Sequence, residues 1–172
     1  MKLYTHLVTG FCVAFSTALY LGLDLKSSIL VATASLFLNY LIDAIGHRGY
    51  RRSPFMHSFV GVTLSTTALF LALSVLELYV PTMKYIGIEL GPRTFLACYA
   101  GALTHLLLDA FTGSGIYLAY PFTRKRFAIA HLSYDNPVAN TIATAFAIAL
   151  LLYIAWSRYG HVVSEVMTWL GR

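Results

Sequence analysis

The sequence predicts an all-α integral membrane bundle of about five transmembrane helices, with the N-terminus in and the C-terminus out. Three observations carry this. The 172 residues are 58% hydrophobic and only 11% charged, with a mean hydropathy of +0.70. Soluble domains hold about a quarter charged residues, so lipid is the solvent this composition fits. Five apolar runs reach the roughly 17 to 25 residues that a helix needs to cross a hydrocarbon core. The breaks between runs carry charge or turn chemistry. The net charge is +5, but Lys and Arg fall in short clusters between runs. That is a topology pattern, not the basic face of a nucleic-acid-binding protein. The length suits one transmembrane domain, 1–172.

The first run, Thr5–Leu23, ends in the bulky Ala18-Leu19-Tyr20-Leu21 where a cleaved leader would carry small residues, so it reads as a retained helix. The second, Ser27–Ile45, follows Asp24 and Lys26. The third, His57–Val80, follows the turn-rich and basic stretch Gly46 to Pro54. The fourth, Thr94–Phe111, follows a break running from Pro81 to Pro92. Within it, Ala100-Gly101-Ala102 permits close helix contact. The fifth, Val138–Trp156, is introduced by Asp135-Asn136-Pro137, a cap followed by a proline suited to the first helical turn. His161 to Leu170 reads as a short amphipathic piece on the surface. Cys12 and Cys98 sit inside runs, where buried thiols serve packing.

Orientation follows from the loops. Arg48, Arg51 and Arg52 occupy the second connection, and Arg124, Lys125 and Arg126 the fourth. With five spans, both share a side with Lys2, and the positive-inside rule makes that side cytoplasmic. The embedded polar residues fall at the same depth. His6 opens the first helix, Asn39 and Asp43 close the second, and His57 opens the third. His105 and Asp109, one turn apart on one face, close the fourth, and Asn140 lies one turn into the fifth. Ionisable groups there are costly in lipid, and their default reading is a functional site.

Three histidines and two carboxylates converging in this way suit a divalent metal: zinc first, manganese or iron as alternatives, and one ion or two. His47 is a sixth candidate, four after Asp43 and on its face if the helix survives Gly46. Asn39, Ser58 and Asn140 are placed to orient ligands. Arg48, Arg51 and Arg52 are placed to hold an anionic headgroup. Asp43 or Asp109 would serve as a catalytic base where not committed to metal.

Thr5-His6, Asp43, His47-Arg48-Gly49, His57-Ser58, Gly101 with His105-Leu-Leu-Leu-Asp109, and Pro121-Phe122 together resemble the membrane-bound metal-dependent hydrolases typified by YdjM, most of all an archaeal branch. The resemblance covers about residues 5 to 126. It implies His6, Asp43, His57, His105 and Asp109 as the family's histidine and aspartate positions. It also implies a hydrolase; with the basic loops beside the cluster, the expected substrate is an ester or phosphoester of a lipid or amphiphile at the cytoplasmic leaflet. The chain departs from the family in three places. The usual Pro-Asp-x-Asp is here Asn39-Tyr40-Leu41-Ile42-Asp43, with one acid fewer. Tyr50 to Phe55 separate two elements that are normally almost adjacent. Met56 stands where a threonine is usual. His47 is the residue that would supply what the absent aspartate does elsewhere. A non-enzymatic alternative fits the same residues: a membrane scaffold or partner-binding subunit whose His/Asp cluster holds structural metal or a hydrogen-bond network. That alternative expects a closed, fully ligated site.

Overall fold

A computed structural model of the chain describes residues 1–48, 51–80 and 90–170, without the side chains at 48, 51 and several positions after 161. Its helices are α1 Leu3–Tyr20, α2 Leu25–Gly46, α3 Phe59–Tyr79, α4 Pro92–Ala110 and α5 Pro137–Leu170. Two-residue strands β1, His47–Arg48, and β2, Arg51–Arg52, pair antiparallel between α2 and α3. The Pro81 to Pro92 break falls largely outside the described residues.

Local chemistry sets the helix boundaries. Asp24 caps α2, accepting from the Ser27 amide at 3.0 Å and the Ser27 hydroxyl at 2.8 Å. Those two bonds hold its exposed carboxyl below the usual range. Ser58 caps α3 by accepting from the Gly61 amide at 3.0 Å. His57 therefore sits in the turn before α3 and does not begin the helix as the hydrophobic run suggested. The expected cap of α5 is Asn136, whose side-chain oxygen accepts from the Ala139 amide at 3.0 Å, with Pro137 at the first helical position.

Two expectations are corrected. His161 to Leu170 is not a separate surface piece: α5 runs unbroken for 34 residues. No proline interrupts it, and Gly160 costs too little to end a helix already propagated. Among the described residues, four helices are long and apolar enough to cross a membrane: α1, α2, α3 and the Pro137–His161 part of α5. α4 is the exception. It packs on α1, α2 and α3, so its neighbours shield it from lipid and it can carry Thr104, His105 and Asp109 buried.

Small residues let these helices approach. A Cβ at Gly101 would lie 2.2 Å from Ser35 Oγ and 2.5 Å from the Gly10 carbonyl, so α4, α2 and α1 meet where a side chain has no room. Asn39 strengthens the junction, donating from Nδ2 to the carbonyls of Ser35 at 2.9 Å and Gly101 at 3.3 Å. Around it lies a core of Ala14, Ala18, Val31, Leu38, Ile42, Ala97, Cys98 and Ala102. Overpacking such a junction costs about 1–3 kcal/mol. Gly101→Val is expected to lower the unfolding midpoint in detergent by that equivalent, and an unchanged midpoint would show the junction to be loose.

Candidate metal centre

The starts of α1, α3 and α5 and the ends of α2 and α4 lie together, because their side chains touch. Thr5 Oγ1 donates to Asn140 Oδ1 at 2.6 Å, and the Lys2 amide reaches the same oxygen at 3.1 Å, joining α1 to α5. The His6 ring stacks on that of His105 with centroids 4.1 Å apart. His57 faces His105 at 5.5 Å and stacks on His47 at 5.0 Å. The segment after α4 closes over this end. The Tyr117 amide donates to the His57 carbonyl at 2.9 Å, and the Ile129 amide to that of Ala110 at 2.7 Å.

Asp109 is at the centre, with its side chain 0% exposed. One oxygen is heavily engaged. Oδ1 accepts from the Met1 amino group at 2.8 Å and from Arg52 Nη2 at 2.9 Å, with His6 Nε2 at 3.3 Å. The other is not: among the described residues Oδ2 has no hydrogen-bond partner, and it lies 3.5 Å from His105 Nε2 and 3.7 Å from His57 Nε2. Both of those nitrogens are also buried without a partner, as are His105 Nδ1 and His6 Nδ1. A buried polar atom left unpaired costs about 1–3 kcal/mol. Here several are aimed at one another.

Asp43 completes the cluster from α2. Its Oδ1 lies 3.2 Å from His47 Nδ1 and 3.9 Å from His105 Nε2, and it is 15% exposed, so this side faces outward. The six residues thus form two adjoining groups, His6, His105 and Asp109 in one and Asp43, His47 and His57 in the other. Within each group, one donor atom per residue lies within 4.8 Å of the others. α2 does end at Gly46, yet His47 still reaches Asp43, because the β1–β2 hairpin turns back there and the Ser53 amide bonds the Gly46 carbonyl at 2.7 Å. Gly46 is required by His57: a Cβ would stand 2.5 Å from its Cε1.

The state of His57 can be argued atom by atom. Burial pushes its imidazole down to about 4, so the ring is neutral at neutral pH. Its Nδ1 lies 3.2 Å from the Ser53 carbonyl, which only accepts, so Nδ1 carries the proton. Nε2 therefore presents a lone pair toward the unpaired carboxylate oxygen of Asp109. Two electron-rich atoms facing each other at 3.7 Å repel unless a cation lies between them. This donor set fits a divalent metal.

A family model described as YdjM inner membrane protein matches residues 1–170. The chain belongs to the YdjM inner membrane protein family. No match is found among curated proteins or solved structures. This YdjM family member is thus a membrane protein built on apolar helices, with a His/Asp cluster that could hold a metal at one end.

The remaining candidates divide. Arg52 turns inward: besides Asp109 it donates from Nη1 to the Gly115 carbonyl at 2.9 Å and reaches Thr112 Oγ1 at 3.4 Å. The side chains of Arg48 and Arg51 lie outside the described residues. Asn140 anchors the start of α1, one residue from His6. Asn39 holds the helix junction, and Ser58 uses its hydroxyl for the α3 cap and the Phe55 carbonyl at 2.6 Å. Sequence reasoning missed Gly46, Ser53 and Thr112. Thr112 carried a signal in its spacing, three after Asp109, and its hydroxyl donates to the Asp109 carbonyl at 2.8 Å. A double-mutant cycle between Arg52→Ala and Asp109→Ala is expected to give a coupling energy above about 1 kcal/mol in unfolding stability, as residues sharing one buried network do. Additive effects would mean that Arg52 does not hold this carboxylate.

Proposed function

We propose that the cluster binds one or two divalent ions, zinc first, and that the protein is a metal-dependent hydrolase. It would cleave an ester or phosphoester bond of a lipid or amphiphile at the cytoplasmic leaflet. The observation that carries this is the His57 Nε2 lone pair aimed at the unpaired Oδ2 of Asp109, with His105 Nε2 beside both. That arrangement is unfavourable in a dry interior and becomes favourable once a cation is shared. A nitrogen and oxygen donor set of this kind suits zinc, with manganese or iron as alternatives. Two groups of three ligands each leave coordination positions open, which favours the catalytic reading over a fully closed structural site.

A bound divalent ion supplies Lewis acidity and lowers the pKa of water toward neutrality. The chain's own residues do the rest. His6, His105 and Asp109 would hold one position and Asp43 and His47 the other, with His57 between them and its Nε2 facing Asp109 Oδ2. Arg52, the Ser53 carbonyl and Asn140 fix the orientation of Asp109, His57 and the His6 helix. Asp43, 15% exposed at the more open side, would serve as the base where it is not committed to metal. Asp109 stays ionised, held by the Arg52 guanidinium, and binds rather than acting as the base. Lys2, Arg124, Lys125 and Arg126 share this end of the bundle, the charge distribution expected of a cytoplasmic face.

Purified protein is expected to contain zinc or a related ion. His57→Ala and Asp109→Ala should remain helical by circular dichroism while losing both the metal and hydrolysis of ester or phosphoester lipids. Since residues that would hold the metal are removed, the activity loss should reach about 10²-fold or more. Protein that stays free of metal under every loading condition would defeat this reading. Metal retention without any ester cleavage would favour the scaffold alternative.

A further inference from the structure

Beside the polar cluster lies a groove of about 400 Å³ between the end of α4, the segment after it and the start of α5. Leu108, Phe111, Leu132, Val138, Ala139 and Ile142 line it, with Met1, Asn136 and Ala143. Met1 lines the groove, and its amino group donates to Asp109 Oδ1 at 2.8 Å, so the inner end of the groove lies one residue from the carboxylate. At its other end, Val138 is 64% and Ile142 62% exposed, so the groove opens sideways along a helix apolar enough to cross a membrane.

Its chemistry selects an occupant. Asn136 is the one lining residue with a polar side chain, and its oxygen is already engaged in capping α5 at Ala139. Its carbonyl is engaged too, accepting from Asn140 Nδ2 at 2.7 Å. A polar ligand would find at most the Asn136 side-chain amide there and would lose most of its hydration uncompensated. A partner helix, about 10–12 Å across with its side chains, is too thick for it. A flexible hydrocarbon chain meets both conditions. The neighbouring cluster supplies the polar complement, with metal-binding donors where a negatively charged head would lie.

We propose that this groove holds the single hydrocarbon tail of the substrate, with the substrate's phosphate at the Asp109 cluster and the tail leaving laterally between α4 and α5 into the bilayer. The proposal rests on the hydrolase reading above and narrows its substrate to a single-chain amphiphile with an anionic, phosphate-bearing head. Ala139 and Val138 act as the walls of the tail site.

The test uses the full chain in phosphatidylcholine nanodiscs and a long-chain alkyl phosphate bearing a photoreactive diazirine on its tail. Photo-adducts are expected on Leu108, Phe111, Leu132 and Ile142. Unlabelled alkyl phosphate should suppress them, and an alkyl trimethylammonium of the same chain length should not. Ala139→Trp, which fills the groove, should cut labelling by about tenfold, equivalent to about 1.4 kcal/mol of binding. Val138→Trp, at a lipid-facing position, should act in the same direction should the first variant fail to fold. Labelling spread equally over outward residues of α3 such as Leu71 and Val75, or insensitive to both competitors, would reduce the groove to ordinary lipid contact and overturn the proposal. Selective, competed labelling in a protein that hydrolyses no ester would leave the tail site standing and remove the hydrolase reading instead.

Discussion

The fold is organised around one constraint: a carboxylate, Asp109, fully buried at the end of an interior helix. An isolated charge in such a place costs several kcal/mol even after the protein relaxes. Here it is met from five directions. Arg52 and the Met1 amino group pair with Oδ1, and His6, His57 and His105 close around the carboxyl group. They come from the start of α1, from β2, from the turn before α3 and from α4 itself, so the cluster ties these elements together. α4 must be interior to hold the charge, and small residues at Gly10, Ser35 and Gly101 let α1 and α2 close on it.

The two faces of the bundle follow different solvents. Outward residues such as Leu64, Leu71 and Val75 on α3 and Phe146, Leu152 and Tyr153 on α5 are large, apolar and exposed. Lipid is what they meet. Inside, polar groups pair with backbone carbonyls or with one another. Departures from full pairing concentrate at one place. Of the buried side-chain atoms without a partner, five belong to His6, His57, His105 and Asp109. Among the described residues, Thr9, Ser16 and Asn39 carry the other three singly, whereas those of His57, His105 and Asp109 face one another.

Much of this was legible in the sequence because membrane helices end where charge begins. The runs containing His6, Asp43, His105 and Asp109 could be bounded by composition, and chain direction alternating through the bilayer then brought those ends together. What escaped was set by non-periodic backbone. Arg48, Arg51 and Arg52 look equivalent as a basic cluster; only the hairpin register, with His47 opposite Arg52, sends Arg52 toward Asp109. The same hairpin returns His47 to Asp43 after the helix has ended at Gly46. α4 resembled its neighbours as an apolar run, and its lower hydropathy became intelligible only once α1, α2 and α3 were seen to cover it. The continuation of α5 past His161 was hidden by a polar, mildly amphipathic composition that does not itself stop a helix.

A shared cation would resolve the repulsion between His57 Nε2 and Asp109 Oδ2. Anomalous scattering at the zinc edge, from crystals of zinc-loaded protein, tests it most directly. A peak within coordination distance of His57, His105 and Asp109 is the predicted result, with a second near Asp43 and His47 if two ions bind. The absence of any peak there, with the same side chains paired to each other or to water, would contradict it.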